Sequence, residues 1–404
     1  MDVSASRMNA TEIRASVSLA SIFGLRMLGL FLILPVFAVH ATSLPGGDNA
    51  TLVGLAMGMY GLTQAIGQIP FGMASDRYGR KRIIIIGLLL FILGSLIASI
   101  DTHVLWVIVG RAVQGAGAVS AAVTALIADS TRDEHRTKAM ALVGASIGLT
   151  YAASLVIAPL LYASIGMSGM FLMVAALAAA AIFIVVFITP QAPARQPERI
   201  AFIEVLRDAE LMRMNFGVFA LHATQMSMFV VLPNAMVGAA GMPVSEHWKI
   251  YLPVVLASFV LMLPPIFVGE KRGRMKQVFV TAIVLLLLVE IGLRAAIVQS
   301  ALSFELVVML LLAFFVAFNI LEASQPSLVS RLAPAGARGA ALGVYNTMQA
   351  IGLFAGGAGG GMLAQHFGAP AVFTAGCLIT TAWLIIAASM KNLPRRAKHA
   401  APAH

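Results

Sequence analysis

The sequence predicts an all-α membrane protein of twelve transmembrane helices in two six-helix bundles, and three observations predict it. Hydrophobic residues make up 60% of the 404-residue chain and charged residues only 11%. Apolar stretches long enough to cross a bilayer recur from end to end, and basic residues lie on alternate sides of them. A soluble protein needs far more surface charge, and apolar runs this continuous cross a bilayer as helices.

Polar breaks divide the chain into twelve apolar segments, each predicted to be one span. The polar opening segment MDVSASRMNATEI lacks the order of a cleaved signal peptide, so the first segment is expected to be a retained span. Spans 1 to 12 are predicted at roughly 14–40, 50–72, 82–100, 103–129, 137–163, 167–189, 210–239, 247–269, 277–299, 303–331, 337–366 and 369–390.

The basic residues predict the orientation of these spans. Of the 27 Lys and Arg, 23 lie in the two terminal segments and in the loops after even-numbered spans. The opposite loops hold only Lys249, and Arg26, Arg111 and Arg294 lie within spans. This asymmetry predicts that both termini are cytoplasmic. The net charge of +10 is therefore interpreted as a topology signal, and no nucleic-acid partner is expected.

The chain is predicted to consist of two related halves. Residues 1–189 form an N-terminal six-helix bundle, 190–209 a cytoplasmic linker with three prolines, and 210–404 a C-terminal six-helix bundle with a short basic tail. The loop after span 2, DRYGR at 76–80, and the loop after span 8, EKRGR at 270–274, both place an acid four residues before an Arg. Matching loops on the same side of the membrane favour a parallel six-span repeat. The single Cys377 excludes an internal disulfide.

Several motifs resemble a known transporter family. The charged stretch GMASDRYGRKR fits the pattern G-x-x-x-D-R-x-G-R-[RK]-[RK] at Gly72, Asp76, Arg77, Gly79, Arg80, Lys81 and Arg82. RAVQGAG at 111–117 fits R-x-x-Q-G, and the runs at 23–37, 60–72 and 318–336 extend the likeness over nearly the whole chain. The chain resembles the major facilitator superfamily, and within it the drug:proton antiporter branch.

The resemblance implies a cytoplasmic gate made of Gly72, Asp76, Arg77, Gly79, Arg80 and Asp129. In this gate Asp76 meets the start of span 11, after Pro334, and Arg80 joins Asp129 in a charge cluster. Such contacts favour the outward-open state and break when the inside opens. The alternative is that these residues only anchor the topology.

The chain departs from that branch at two places. The antiporter signature of span 5 ends in G-P-x-x-G-G, whereas this chain has Ala158 and Pro159 followed by LLYA, which leaves the direction of coupling open. The exporter that the chain resembles carries an extra C-terminal soluble domain, and the short basic tail KNLPRRAKHAAPAH predicts that this domain is absent here.

Ionisable residues within predicted spans are the candidates for proton coupling, because an unpaired charge at membrane depth costs at least about 2.5 kcal/mol. Glu322 in span 10 is the first choice, since no oppositely charged residue lies within four positions; a Glu satisfied by Asn319 or by a neighbouring helix is the alternative. The resemblance implies a role in proton transfer for Arg111, whose fixed charge would tune the proton affinity of a nearby acid. The other candidates are Arg26 and Glu290, although the spacing of Glu290 and Arg294 favours a structural intrahelical ion pair.

Spans 1, 4, 7 and 10 line the central cavity in the resembled family. Their mixture of soft apolar and uncharged polar side chains suits a lipophilic solute more than a sugar. In span 11, GGAGGG at 356–361 predicts close packing or bending. The candidate cavity residues are Met27, Phe31, Gln114, His222, Gln225, Met226, Phe229, Asn234, Phe315 and Asn319.

These features predict a secondary active transporter in the cell inner membrane that couples proton entry to efflux of small lipophilic compounds by alternating access. The chain is expected to be a monomer that binds no cofactor and no metal. Without a phosphate-binding loop, a metal-ligand cluster or a nucleophile with its base, it is not expected to be an enzyme. The alternatives are a metabolite facilitator or symporter, and a transporter-like receptor or scaffold that moves no solute.

Overall fold

The structure, a computed structural model, is built from helices. It describes residues 8–191, 202–238, 241–334 and 337–391, and within these ranges every regular element is helical. Half of the predicted linker, residues 192–201, and all of the basic tail after Lys391 lie outside the described residues.

The helices follow the predicted spans in order. Spans 5 and 6 form one helical run, which Gly166 breaks with its φ of +66°. A short helix, Phe202–Arg207, precedes span 7. Span 1 comprises Ala10–Phe31 and Phe37–Ala41; span 2, Ala50–Tyr78; span 3, Arg80–Ala98; span 4, Val104–Ala116 and Ser120–Ser130; spans 5 and 6, Asp133–Phe183 with a π-helical end at Ile184–Ile188; span 7, Ala209–Gly238; span 8, Trp248–Arg272; span 9, Met275–Val298; span 10, Phe304–Leu332; span 11, Arg338–Phe354, π-helical Ala355–Gly359 and Gly360–Phe367; and span 12, Ala369–Ala388.

Local sequence explains where key helices begin and end. Asn9 starts span 1 with a capping box, in which its side chain and that of Glu12 each accept a backbone N–H. Gly79, with φ of +98°, is the one residue between spans 2 and 3, a conformation that favours glycine. Span 2 therefore continues past the predicted residue 72 to Tyr78, and Asp76 and Arg77 lie in its last turns rather than in a loop.

Apolar length identifies most spans directly. Within the described residues, nine helical stretches are long and apolar enough to cross a membrane, and one of them, 138–188, contains both spans 5 and 6. The remaining two are span 2, which carries Gln64, Gln68 and Asp76, and span 11, which the π-helical stretch interrupts. These less apolar spans pack against each other between the two halves.

Twelve spans return the chain to the face on which it began. Met8 and Lys391 therefore lie on one face of the molecule, here called the terminal face, and the other is called the opposite face. Spans 1–6 and 7–12 form the two six-helix bundles, and the halves meet through spans 2 and 11 and through spans 5 and 8.

Near the opposite face, spans 2 and 11 are in backbone contact through a glycine seam. A Cβ added to Gly54 would lie 2.1 Å from the carbonyl oxygen of Gly357, and one added to Gly58 would lie 2.9 Å from that of Phe354. The backbone N–H of Ala50 donates to Gln365 Oε1 across the same seam at 2.6 Å. The close packing predicted for the 356–361 glycines is thus confirmed, and the halves are sealed together at the opposite face.

The side of span 2 that carries Gly54 and Gly58 loses contact with span 11 toward the terminal face of the molecule. The side chain of Ile69 is 51% exposed, and among the described residues a Cβ on Gly72 would meet only Ala121, a residue of its own half, at 3.5 Å. In span 5, Leu149 is 71% exposed, and a Cβ on Gly148 would meet open space. The halves therefore diverge toward the terminal face, so the molecule is closed at the opposite face and open at the terminal one.

Candidate functional site

A polar cluster at membrane depth joins three spans of the C-terminal half. His222 of span 7 has its Nε2 3.6 Å from Glu322 Oε2 of span 10 and 2.7 Å from the side-chain nitrogen of Gln349 in span 11. Its Nδ1 lies 3.0 Å from the Val218 carbonyl oxygen. Because a carbonyl only accepts, Nδ1 carries the hydrogen and Nε2 of the neutral ring accepts from Gln349. A proton added at Nε2 would instead face Glu322.

Among the residues that the structure describes, Glu322 has no neutral hydrogen-bond partner. Asn319, the alternative partner predicted from the sequence, donates its amide to Ser258 Oγ of span 8 at 2.9 Å. The Glu322 side chain is 23% exposed, and among the described residues its Oε2 accepts no hydrogen bond. Within the described residues, the one ion-pair contact of Glu322 is with the imidazole of His222.

An aromatic cluster joins the halves beside this pair. Tyr151 of span 5 has its ring centroid 4.9 Å from Phe31 of span 1 and 5.3 Å from Phe318 of span 10. Phe318 in turn lies 5.9 Å from the His222 ring, and Phe315 lies 6.2 Å from Tyr151. Span 10 starts at the opposite face, so these phenylalanines precede Glu322 on that side. The cluster therefore separates the Glu322–His222 pair from the opposite face.

The other predicted cavity residues differ in burial and in their partners. Of the remaining predicted cavity residues in spans 1 and 7, Met27, Gln225, Met226 and Phe229 are buried. Asn234 lies nearer the opposite face, where it donates to the Ala38 carbonyl of the N-terminal half at 3.1 Å. Gln114 is directed toward span 3 instead, because its amide donates to Ser95 Oγ at 2.8 Å.

The N-terminal half has two buried arginines at its centre. Arg26 donates from Nη1 to Ser120 Oγ at 2.7 Å, and Arg111 donates from Nη1 to Gln114 Oε1 at 3.1 Å. Their guanidinium carbons lie 5.5 and 4.8 Å from the centroid of the same ring, that of Tyr60 in span 2. Both arginines are at most 1% exposed, and among the described residues no carboxylate lies within 4.0 Å of either one.

The intrahelical ion pair predicted for Glu290 and Arg294 does not form, and this prediction was wrong. Arg294 is exposed and donates from Nε to Thr374 Oγ1 of span 12 at 2.9 Å. Glu290 is buried against span 12, with its Oε2 2.3 Å from where a Cβ on Gly376 would lie. Spacing of i, i+4 permits a pair, but here the packing of span 12 engages the two side chains separately.

At the terminal face, Arg80 links the charged residues of the gate motif. It pairs with Asp76, four residues earlier, and its Nε donates to Asp129 Oδ2 of span 4 at 3.0 Å. Its Nη1 also donates to Ser75 Oγ at 2.7 Å. Arg77 is exposed and lies 5.3 Å from the centroid of the Tyr78 ring. In this conformation Asp76 is thus engaged within its own half.

The second half has a corresponding terminal-face pair. Arg331, at the end of span 10, donates from Nη2 to Glu270 Oε1, at the end of span 8, at 2.6 Å. An ion pair therefore connects the fourth span of each half to the region of the second turn: to the first residue of span 3 in the N-terminal half and to the end of span 8 in the C-terminal half. The acid and the base have exchanged places between the halves.

A family model and known proteins match this architecture. The model described as "Major Facilitator Superfamily" matches residues 19–357. The chain belongs to the major facilitator superfamily. It is therefore a multi-pass membrane transporter and not an enzyme.

Two relatives illustrate its place in the superfamily. The chain is 43% identical over 394 residues to "Inner membrane transport protein YajR" of Escherichia coli K12, covering 96% of this chain and 86% of that protein. It is 26% identical over 350 residues to "Multidrug resistance protein MdtH" of Aeromonas salmonicida, covering 84% and 85%.

Solved structures share the fold of this superfamily member. A bacterial homologue of the human lysosomal transporter Spinster, solved in an inward-facing and occupied conformation, aligns with a TM-score of 0.71 at 14% identity over 95% of this chain and 96% of that one. An auto-inhibited peptide transporter of the POT family aligns with a TM-score of 0.72 at 12% identity, over 96% and 99%.

Proposed function

We propose that this protein is a proton-coupled exporter of small lipophilic compounds in the cell inner membrane, with its terminal face toward the cytoplasm. One observation carries the proposal: Glu322 lies at membrane depth, partly accessible, with its Oε2 3.6 Å from His222 Nε2 and an aromatic cluster on its opposite-face side. The names of the relatives, an inner membrane transport protein and a multidrug resistance protein, agree with it.

The proton step follows from the cost of charge in hydrocarbon. A Glu322 carboxylate without a cation at membrane depth costs at least about 2.5 kcal/mol, and protonation removes that cost. The neutral Glu322 therefore favours one arrangement of the halves, and the charged form favours one that gives it water or a positive partner. A proton taken from outside and released to the cytoplasm would then drive one cycle of rocking.

The aromatic cluster is where we place the lipophilic substrate. Tyr151 comes from one half and Phe318 from the other, so rocking of the halves changes the spacing of the rings that would hold a solute. Aromatic walls with few fixed hydrogen-bonding groups select apolar, flat compounds. A substrate there would lie directly beside the Glu322–His222 pair, which couples solute and proton by proximity.

The gate residues have a defined role in this proposal. In the terminal-open structure Asp76 pairs with Arg80. When the terminal face closes, we propose that Asp76 turns to the start of span 11 while Arg80 keeps Asp129. The predicted division of the chain at residues 189 and 210 fits this motion, since the linker would join two bodies that move relative to each other.

The test is pH-driven transport by purified protein in proteoliposomes, with compounds chosen by comparing growth of a deletion strain and an overproducing strain on a panel of lipophilic toxins. Glu322→Gln is expected to reduce pH-driven transport by about tenfold or more, which corresponds to about 1.4 kcal/mol. Glu290→Gln is the matched control: the same chemical change at another acid within a span of the same half, expected to stay within about twofold.

The outcomes separate the candidate functions. Undiminished pH-driven transport by Glu322→Gln would reject the proton-carrier role. Proton movement in the same direction as the solute would favour a symporter, the alternative that the altered span 5 signature at Ala158 and Pro159 keeps open. A receptor or scaffold predicts instead that Asp76 and Glu322 can both be replaced without loss of function.

A further inference from the structure

Arg26, Arg111 and Tyr60 form a buried cluster whose positive charge is not balanced within the described residues. Both guanidinium groups stay protonated in proteins, and both lie within 5.5 Å of the centroid of one ring. Their hydrogen-bond partners, Ser120 and Gln114, are neutral. One aromatic ring shared between two cations compensates each of them only in part.

The cluster also has unused hydrogen-bond donors. Among the described residues, Nε and Nη2 of Arg26, Nε and Nη2 of Arg111 and the Tyr60 hydroxyl all lack a partner. Buried donors of this kind are rare in folded proteins and call for a missing acceptor. Donors on two cations and one phenol, with no acidic neighbour, are the recognition chemistry of an anion.

We propose that a small monovalent anion, a free halide or a carboxylate group, binds between Arg26 and Arg111 in the N-terminal half. The occupant must be small, because Arg26 is 1% and Arg111 0% exposed and Tyr60 is fully buried. A single negative charge at this position would neutralise half of the buried positive charge and satisfy several of the unused donors.

The site is held by rigid packing, so it is preorganised for its ligand. A Cβ on Gly115 of span 4 would lie 2.2 Å from the Tyr60 carbonyl oxygen of span 2, and one on Gly94 of span 3 would lie 2.5 Å from the Gly110 carbonyl oxygen of span 4. Spans 2, 3 and 4 are thus in backbone contact around Arg111. The two arginines belong to one bundle, so rocking of the halves leaves their spacing unchanged.

The experiment measures thermal unfolding of the purified full-length protein in detergent while gluconate, which is too large for the site, is replaced by chloride, bromide or acetate at constant ionic strength and pH. Binding to the folded state raises the unfolding temperature with anion concentration. The expected rise is about 3 °C or more at saturation. Bromide also provides a direct second measurement, an anomalous scattering peak between Arg26 and Arg111 in crystals.

Variants connect the shift to these residues. Arg26→Gln and Arg111→Gln are expected to lose the anion-dependent rise, whereas Arg294→Gln, which removes an exposed arginine at membrane depth, should keep it. Glu322→Gln should also keep it, so a failure of the proposed proton coupling leaves this test intact. If both arginine variants fail to fold, the bromide peak in the unaltered protein decides the matter.

The two sources of the anion give different results. A rise with chloride and bromide indicates a free halide, and a rise with acetate alone indicates a site for a carboxylate of a bound compound. An unaltered protein that unfolds at one temperature in all four anions and shows no bromide peak would overturn the proposal. An equal rise in Arg26→Gln, Arg111→Gln and the unaltered protein would assign the binding elsewhere and overturn it too.

Discussion

The two six-helix bundles share a fold but carry opposite charges in their interiors. The N-terminal bundle holds two buried cations, Arg26 and Arg111, around Tyr60, whereas the C-terminal bundle holds two acids, the buried Glu290 and the partly accessible Glu322. At the terminal face the same two bundles keep corresponding ion pairs. A repeated fold therefore fixes where helices connect, while the chemistry at the membrane centre differs between the copies.

We propose that this difference gives the halves separate tasks. An arginine keeps its proton throughout a transport cycle, so in this proposal the N-terminal charges act as a constant field or as an anion site. The C-terminal half carries Glu322, the proposed proton carrier, so it is the half whose charge would change. Under the proposed mechanism, transport depends on one half that titrates moving against one half that does not.

The largest expected effect on stability comes from the glycine seam of spans 2 and 11, which joins the halves. Gly54→Ala should destabilise the folded protein by about 1–3 kcal/mol, because its Cβ would overlap the Gly357 carbonyl oxygen. Gly343→Ala makes the same change in span 11, where the Cβ meets open space, and should stabilise by about 0.4–1 kcal/mol.

Thermal unfolding in detergent measures both variants against the unaltered protein. Opposite signs are expected for the two substitutions. Equal destabilisation by Gly54→Ala and Gly343→Ala would mean that spans 2 and 11 are packed along their whole length, and that the halves do not diverge toward the terminal face.

A smaller effect is expected for the coupling between the buried Glu290 and the exposed Arg294. The double-mutant cycle of Glu290→Gln and Arg294→Gln should give a coupling energy below about 0.5 kcal/mol, the range of independent sites. The reason is that Arg294 bonds to Thr374 and Glu290 packs on Gly376. Unfolding of the two single variants and the double variant measures this coupling, and a value near 2 kcal/mol would restore the ion pair predicted from spacing.

Much of the fold could be predicted from the sequence because bilayer thickness sets the length of a helix and apolar runs reveal it. The order of all twelve spans followed from these runs, and the glycines at 356–361 predicted close packing or bending in span 11 but not its partner, span 2. Helix ends were less predictable: a single residue, Gly79, makes the turn between spans 2 and 3, and no apolar pattern marks a turn that short.

The candidate site was only partly predictable, because its residues come together through packing between distant spans. Glu322 and His222 were each recognisable as ionisable groups within apolar runs. Their proximity was not, since the two residues are one hundred positions apart, and Tyr151, Phe318 and Gln349 carry no signal that separates them from core packing. The sharing of Tyr60 by two arginines likewise appears only when spans 1, 2 and 4 are assembled.

We propose that protonation of Glu322 shifts the halves between two arrangements. Double electron–electron resonance between spin labels measures the distance across each face and so reports that shift. In a Cys377→Ser background, one spin-label pair replaces the exposed Tyr78 and Arg272 at the terminal face, and another replaces Ser43 and Gln299 at the opposite face. As pH falls, the terminal-face distance should lengthen and the opposite-face distance should shorten. Glu322→Gln should hold the low-pH distances at every pH. A pH response of Glu322→Gln that equals that of the unaltered protein, or distances that lengthen together at both faces, would mean that protonation of Glu322 does not set the arrangement of the halves.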